Sequence, residues 1–145
     1  MKRLFVLSAF LLGLLGSLFL TLHFLSRLPS GPVPIIWDKE ACAHCHMHVG
    51  EPRFAAQLQT KQGDVLNFDD PGCLLQYQNV NKREVHAIYF HHLREDRWLT
   101  EAEVGFVSVD PTPMGYNLGA VPKEAAAALS FQEARQRVQA KGIAP

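Results

Sequence analysis

Hydrophobic positions along this chain fall into one unbroken block followed by a series of short, interrupted runs. The block, from Leu4 to Ser26, carries no charge and is rich in Leu and Phe. At the helical rise it is long enough to cross a hydrocarbon layer of about 30 Å. Beyond it the pattern shortens and changes period. Phe54 to Thr60 partly alternates, Lys61-Gln62-Gly63-Asp64 supplies turn residues, and Val65-Leu66-Asn67-Phe68 follows, which predicts a β-hairpin. Asp70-Pro71 places a capping carboxylate before a proline suited to the first helical position, so a short helix is expected from Pro71 to Gln78. Val85 to Phe90 and Val104 to Val109 read as strands. Between them, Thr100-Glu101-Ala102-Glu103 fits a capping box and predicts one helical turn.

Two prolines and a glycine exclude regular structure from Asp110 to Gly115, which puts Met114 on a loop. Pro122-Lys123-Glu124 and the four alanines after it predict another short helix, and Ser130-x-x-Glu133 caps a last one ending at Gly142. Strands and helices in mixed order, without a repeated βαβ unit, point to an α+β fold.

The apolar block is either a signal peptide or a membrane anchor. Its exit, Leu22-His23-Phe24-Leu25-Ser26-Arg27-Leu28-Pro29, offers neither the small residues of a cleavage site nor a cysteine for lipidation, which favours an uncleaved anchor. Lys2 and Arg3 precede the block and only Arg27 follows closely, so residues 28–145 are expected outside the cytoplasm. The organisation is thus an anchor over 1–27, a proline-rich spacer over 28–37 that lifts the domain off the membrane, and one domain over 38–145. Setting aside Lys2, Arg3 and Arg27 turns a balance of 14 basic against 14 acidic residues into 11 against 14. A mildly acidic domain without a basic stripe argues against nucleic acid or anionic lipid as a partner.

Candidate chemistry is concentrated in Cys42-Ala43-His44-Cys45-His46-Met47-His48, two thiols, three imidazoles and a thioether in seven residues. These are ligands of soft or borderline metals, so copper(I), zinc and haem iron are the candidates. Three cysteines outside the cytoplasm leave an odd thiol if two pair, and metal ligation accounts for all three. Cys45-x-Met47 combines thiolate with thioether, which selects copper(I). Cys73 falls near the start of the expected helix, where it is either a thiolate favoured by the helix dipole or a small buried hydrophobe. An extended segment would put His44, His46 and His48 on one face, and His91-His92 form a second donor pair after a strand. Cys42-x-x-Cys45-His46 is also the attachment pattern for c-type haem, which makes a membrane-anchored c-type cytochrome the main rival, with Met114 as distal ligand. A thiol-disulfide oxidoreductase using Cys42 and Cys45 is a further alternative, as is a structural zinc site using Cys42, Cys45, Cys73 and a histidine. Asp69 and Asp70 lack a partner acid or nucleophile, and Asp70 is assigned to capping.

The ordered set Cys42-x-x-Cys45-x-Met47-x-Val49, Pro52-Arg53-Phe54-Ala55-Ala56-Gln57, Gly63, Phe68-Asp69-Asp70-x-Gly72-Cys73-Leu74, Trp98 and Thr112-Pro113-Met114-Gly115-Tyr116 resembles the NosL family of nitrous-oxide-reductase accessory proteins. The resemblance runs from about Asp38 to the last helix. It implies a non-enzymatic, extracytoplasmic copper(I) chaperone on a small α+β domain of two related β-hairpin/helix subunits. Its partners would be an acceptor copper enzyme, such as nitrous-oxide reductase, and that enzyme's maturation machinery. Its place would be the cytoplasmic (inner) membrane, with the domain facing the periplasm or cell exterior. Carried over position by position, Cys45, Met47 and Met114 become the leading metal ligands, with Cys42, Cys73 and His46 as further candidates. The chain departs from the family in lacking a lipidated cysteine and in carrying His46 where Gly is common.

Overall fold

The computed structural model describes residues 2–25 and 27–142, with side chains described from residue 11 to 23 and from 27 to 142. Ser26, at the end of the apolar block, and residues 143–145 of the expected domain lie outside the described residues. Helix α1 runs Lys2–Leu25, and its described side chains are all exposed. Among the described residues, no helix is long and apolar enough to cross a membrane.

The predicted hairpin forms as β1 (Ala56–Thr60) and β2 (Val65–Phe68), paired antiparallel with Leu58 opposite Leu66 and turning through Gly63 at φ 96°. Helix α2 covers Pro71–Val80, and the Asp70 side chain accepts the Gly72 N–H at 2.8 Å as expected of the cap. Strand β3 (Val85–His91) pairs with β1, and β4 (Trp98–Thr100) pairs with β3, giving an antiparallel sheet in the order β2-β1-β3-β4. Strands β5 (Val104–Ser108) and β6 (Leu118–Pro122) form a separate antiparallel pair. Helix α3 (Phe131–Lys141) opens on the full Ser130–Glu133 capping box and closes on Gly142 in the left-handed region. The fold is α+β, and each of α2 and α3 follows a hairpin in the chain.

Two expected helical segments take other forms. Glu103 does accept the Thr100 N–H and hydroxyl, at 3.0 and 2.7 Å, but the residues between make a turn joining β4 to β5. Pro122 ends β6, and the alanines after it run through turns to Leu129, which bridges to Phe106. Helix propensity yields there to two bonds between the Phe106 and Leu129 backbones, at 2.9 and 2.8 Å.

The core joins both sheets to α2 and α3. Phe90 of β3 meets Phe106 of β5 edge to face at 5.0 Å, and Phe131 of α3 closes on Phe90 at 6.1 Å. Such aromatic pairs contribute on the order of 1 kcal/mol each beyond their buried area. Strand β1 is buried along its whole length although Gln57 and Gln59 alternate with apolar residues. The reason is the segment expected as a spacer. Gln57 accepts the Val33 N–H at 2.8 Å and returns a bond to the Val33 carbonyl at 2.9 Å, imitating a strand neighbour. Gln59 donates to the Gly31 carbonyl at 2.8 Å, and the His86 ring lies 3.2 Å from the Pro29 carbonyl. The proline-rich segment is therefore laid down on the domain rather than held away from it.

Candidate metal centre

Three parts of the chain converge at the end of the β1–β2 hairpin. The first is the loop between residues 38 and 50, closed by a bridge between Ala41 and His48 and by a 2.8 Å bond from the Cys42 N–H to the Met47 carbonyl. Within it, the His46 N–H donates to the Cys42 carbonyl at 3.0 Å, curling Cys42 to His46 into a turn. The Ala43 N–H reaches the Asn67 carbonyl of β2 at 2.9 Å, which fixes the loop against the hairpin. The second part is Asp69, directly after β2, and the third is Cys73 in the first turn of α2, its N–H bonded to the Asp70 carbonyl at 3.0 Å.

Cys42, Cys45, Asp69 and Cys73 each present one ligand atom, and all four atoms lie within 4.8 Å of one another. All three cysteines are unpaired. A tetrahedral ion with bonds near 2.3 Å holds its sulfurs ~3.8 Å apart, so a contraction of about 1 Å would close this set on a metal. Cys42 and Cys73 are fully buried, and Cys45 is half-buried with its thiol donating to Asp69 Oδ1 at 3.3 Å.

The three sulfurs are electrostatically unequal. The Cys73 thiol hydrogen-bonds Cys42 and, against the opposing cost of burial, brings the Cys42 pKa down to about 7. The backbone N–H groups of Cys45, Asp69 and His44 add to that stabilisation. Burial pushes Cys45 up to about 12, and the hydrogen bond to Cys42 together with burial pushes Cys73 far above the usual thiol range. Cys42 is thus the sulfur most readily deprotonated, held by amides and the Cys73 thiol, and an incoming soft cation would displace the protons of Cys45 and Cys73.

A lid of packed residues holds the helix start in place. Asp70 Oδ2 accepts the Met114 N–H at 3.1 Å, so one carboxylate ties α2 to the distant Met114 loop. Burial raises the Asp70 pKa, while bonds from Thr112, Gly72 and Met114 oppose that shift. Tyr116 packs directly on Gly72, where an added Cβ would come within 2.0 Å of the ring. Any side chain at 72 would therefore displace Tyr116 from beside the cluster. Burial foremost raises the Tyr116 pKa, which keeps its phenol neutral.

Of the residues singled out from sequence, Cys42, Cys45 and Cys73 are brought together, and Asp69 joins them in place of a histidine. Met47 is 60% exposed. Met114 is half-buried against the core, joined to the site through its backbone bond to Asp70. His46 is exposed, with φ 64° in the left-handed region. His44, His46 and His48 do not share a face, because the turn at Cys42 replaces the extended backbone that alternation requires: His44 is buried and the other two are exposed. The Nε2 atom of His44 is buried without a hydrogen-bond partner, and burial lowers its pKa.

His91 and His92 are outside the cluster. They line an open cleft of about 580 Å³ with Trp37 and Arg53, His91 facing Asp96 at 3.2 Å. His92 Nδ1 accepts the N–H groups of Arg94 and Glu95 at 3.1 and 3.0 Å. Asp69 is the residue the sequence reading passed over. Its signal was positional, an acid four residues before a cysteine with a helix start between them.

No family model, no curated protein and no solved structure matches this chain.

Proposed function

We propose that this chain is a membrane-anchored carrier of copper(I), working outside the cytoplasm and related to the NosL accessory proteins that its motifs resemble. The observation that carries the reading is the convergence of three cysteine sulfurs within 4.8 Å at the end of a hairpin. Sulfur-rich, low-charge sites select copper(I) over harder ions. Cys45 is the accessible member of the set, with exposed Met47 two residues on, so ligand exchange with a docked acceptor would begin there. No bond-making chemistry is required, and the partner is an acceptor copper enzyme or its assembly machinery. The anchor reading rests on the uncharged run from Leu4 to Ser26 in the sequence, of which residues 4–25 lie in α1.

Cys45→Ser is expected to abolish copper(I) binding in competition with a chromogenic chelator while the far-ultraviolet circular dichroism stays unchanged. An unaltered affinity in that variant would overturn the proposal. The Asp69 carboxylate, a harder ligand, favours zinc as the second reading, and metal analysis after loading with both ions under reductant separates the two. Covalent haem is disfavoured by Cys42, whose sulfur lies in the closed hydrophobic core instead of facing a haem-sized space. Cys42 and Cys45 lie on a loop ahead of β1 and not in the first turn of a helix that follows a strand, which likewise disfavours thiol-disulfide exchange.

A further inference from the structure

On the anchor reading, the short length of chain between α1 and the domain limits which face of the domain can meet the membrane. Leu28 approaches the β1–β2 turn, with its Cδ2 4.0 Å from where a Cβ on Gly63 would stand. The next residues are held by the bonds of Pro29, Gly31 and Val33 to His86, Gln59 and Gln57. Only two residues separate Leu25, the end of α1, from Leu28, and the three steps between them reach at most ~11 Å. Whatever direction α1 takes, its end stays within about 20 Å of Gly63, the reach of the chain plus the Leu28 side chain and its contact.

The surface around Gly63 consists of two loops. One is the turn 61–64 and the other is 81–84, and they are joined by a 2.9 Å bond from the Lys61 N–H to the Glu84 carbonyl and by an Arg83–Asp64 pair at 3.5 Å. Lys61, Lys82 and Arg83 are exposed there against Asp64 and Glu84, so this face is net basic although the domain as a whole is net acidic. Beside it opens a cavity of about 240 Å³ lined by Lys82, Arg83 and Arg135, with no carboxylate in its lining. Arg135 is oriented by Asn79 Oδ1 at 2.8 Å and by the Gln78 carbonyl at 3.4 Å.

We infer that this face is a seat for anionic phospholipid headgroups of the membrane holding α1, with a headgroup phosphate taken into the Lys82–Arg83–Arg135 cavity. The inference rests on the anchor reading. The short linker lets this face approach the headgroups to within a Debye length of about 8–10 Å, where the attraction of its cations is felt. A domain seated in this way presents its metal cluster in one orientation instead of sampling all of them.

Hydrogen exchange on the full chain tests this, comparing detergent micelles, nanodiscs of phosphatidylcholine, and nanodiscs containing phosphatidylglycerol. Peptides covering 61–64 and 81–86 are expected to exchange at least threefold more slowly in the phosphatidylglycerol discs, with the turn at 101–103 unchanged. Lys82→Glu with Arg83→Glu is expected to remove that protection without altering exchange in β3. Equal exchange in micelles and both discs, for a chain that resists carbonate extraction, overturns the headgroup seat and leaves the anchor standing. A chain extracted by carbonate overturns the anchor and the seat together. Protection reproduced in micelles by inorganic phosphate alone overturns the assignment to lipid.

Discussion

Single residues set the character of the metal loop and of its surroundings. His46 holds φ 64°, a conformation that costs a non-glycine residue on the order of 1 kcal/mol, and its side chain is exposed. His46→Gly is therefore expected to leave stability unchanged or raise it by up to about 1 kcal/mol in urea titration, the gain being offset in part by the added freedom of the unfolded chain. Copper(I) affinity should be retained, since the imidazole is outside the cluster, and a tenfold loss would make His46 a ligand. His92 illustrates a different constraint. Its Nδ1 accepts two backbone N–H groups, which only an unprotonated Nδ1 does, and burial lowers its pKa from 6.5, with Arg97, His91 and Arg94 acting in the same sense and Glu95 against it. With the folded pKa below the unfolded one, the unfolded chain takes up more protons just under pH 6.5. This contribution is complete above pH 6.5 and is lost as the pH falls below it. The urea midpoint should accordingly drop between pH 7 and 5, and drop less in His92→Asn, whose amide oxygen accepts the same bonds at any pH. The buried His44 adds a slope of the same sign that persists in that variant.

At the scale of elements, legibility tracked whether a segment's structure is decided locally. Both side-chain caps were readable, because Asp70 and Ser130 satisfy N–H groups two or three residues away and need nothing from the rest of the molecule. Ser130→Ala should cost about 1 kcal/mol in chemical denaturation and leave metal binding intact, since α3 contributes nothing to the cluster. The elements that escaped are those decided by distant partners. Strand β4 exists because Trp98 to Thr100 pair with β3, and β6 because Leu118 to Pro122 pair with β5, although the alanines that follow favour helix. The histidine alternation failed for a related reason, since the curl at Cys42 is held by Met47 and by Asn67 of β2. The candidate site divides the same way. Its three cysteines were legible as chemistry, whereas Asp69 became a member only when the end of β2 and the start of α2 were set side by side. The burial of Gln57 and Gln59 was equally hidden, because their partners are backbone atoms about 25 residues away.

For the whole molecule, the donor set is a tie between parts that are otherwise held by separate contacts. Cys42 and Cys45 belong to the loop ahead of β1, and Cys73 to α2, so an ion bound to all three fastens the loop to the helix. The aromatic cluster of Phe90, Phe106 and Phe131 stands apart from this tie and keeps the sheets and α3 together without metal. Copper(I) is thus expected to stabilise a domain that is already folded. At a free concentration a hundredfold above Kd the gain is about 2.7 kcal/mol, a rise in Tm on the order of 10 °C for a domain of this size. Cys73→Ala tests the tie directly: it removes a small buried sulfur at a cost of about 1 kcal/mol to the metal-free domain, yet leaves Cys42, Cys45 and exposed Met47 in place. If the ion joins loop to helix, thermal scans in buffered copper(I) should show most of the rise lost in Cys73→Ala and retained in Met47→Ala. The opposite result would locate the ion on the Cys45 and Met47 side of the loop, bound without the helix.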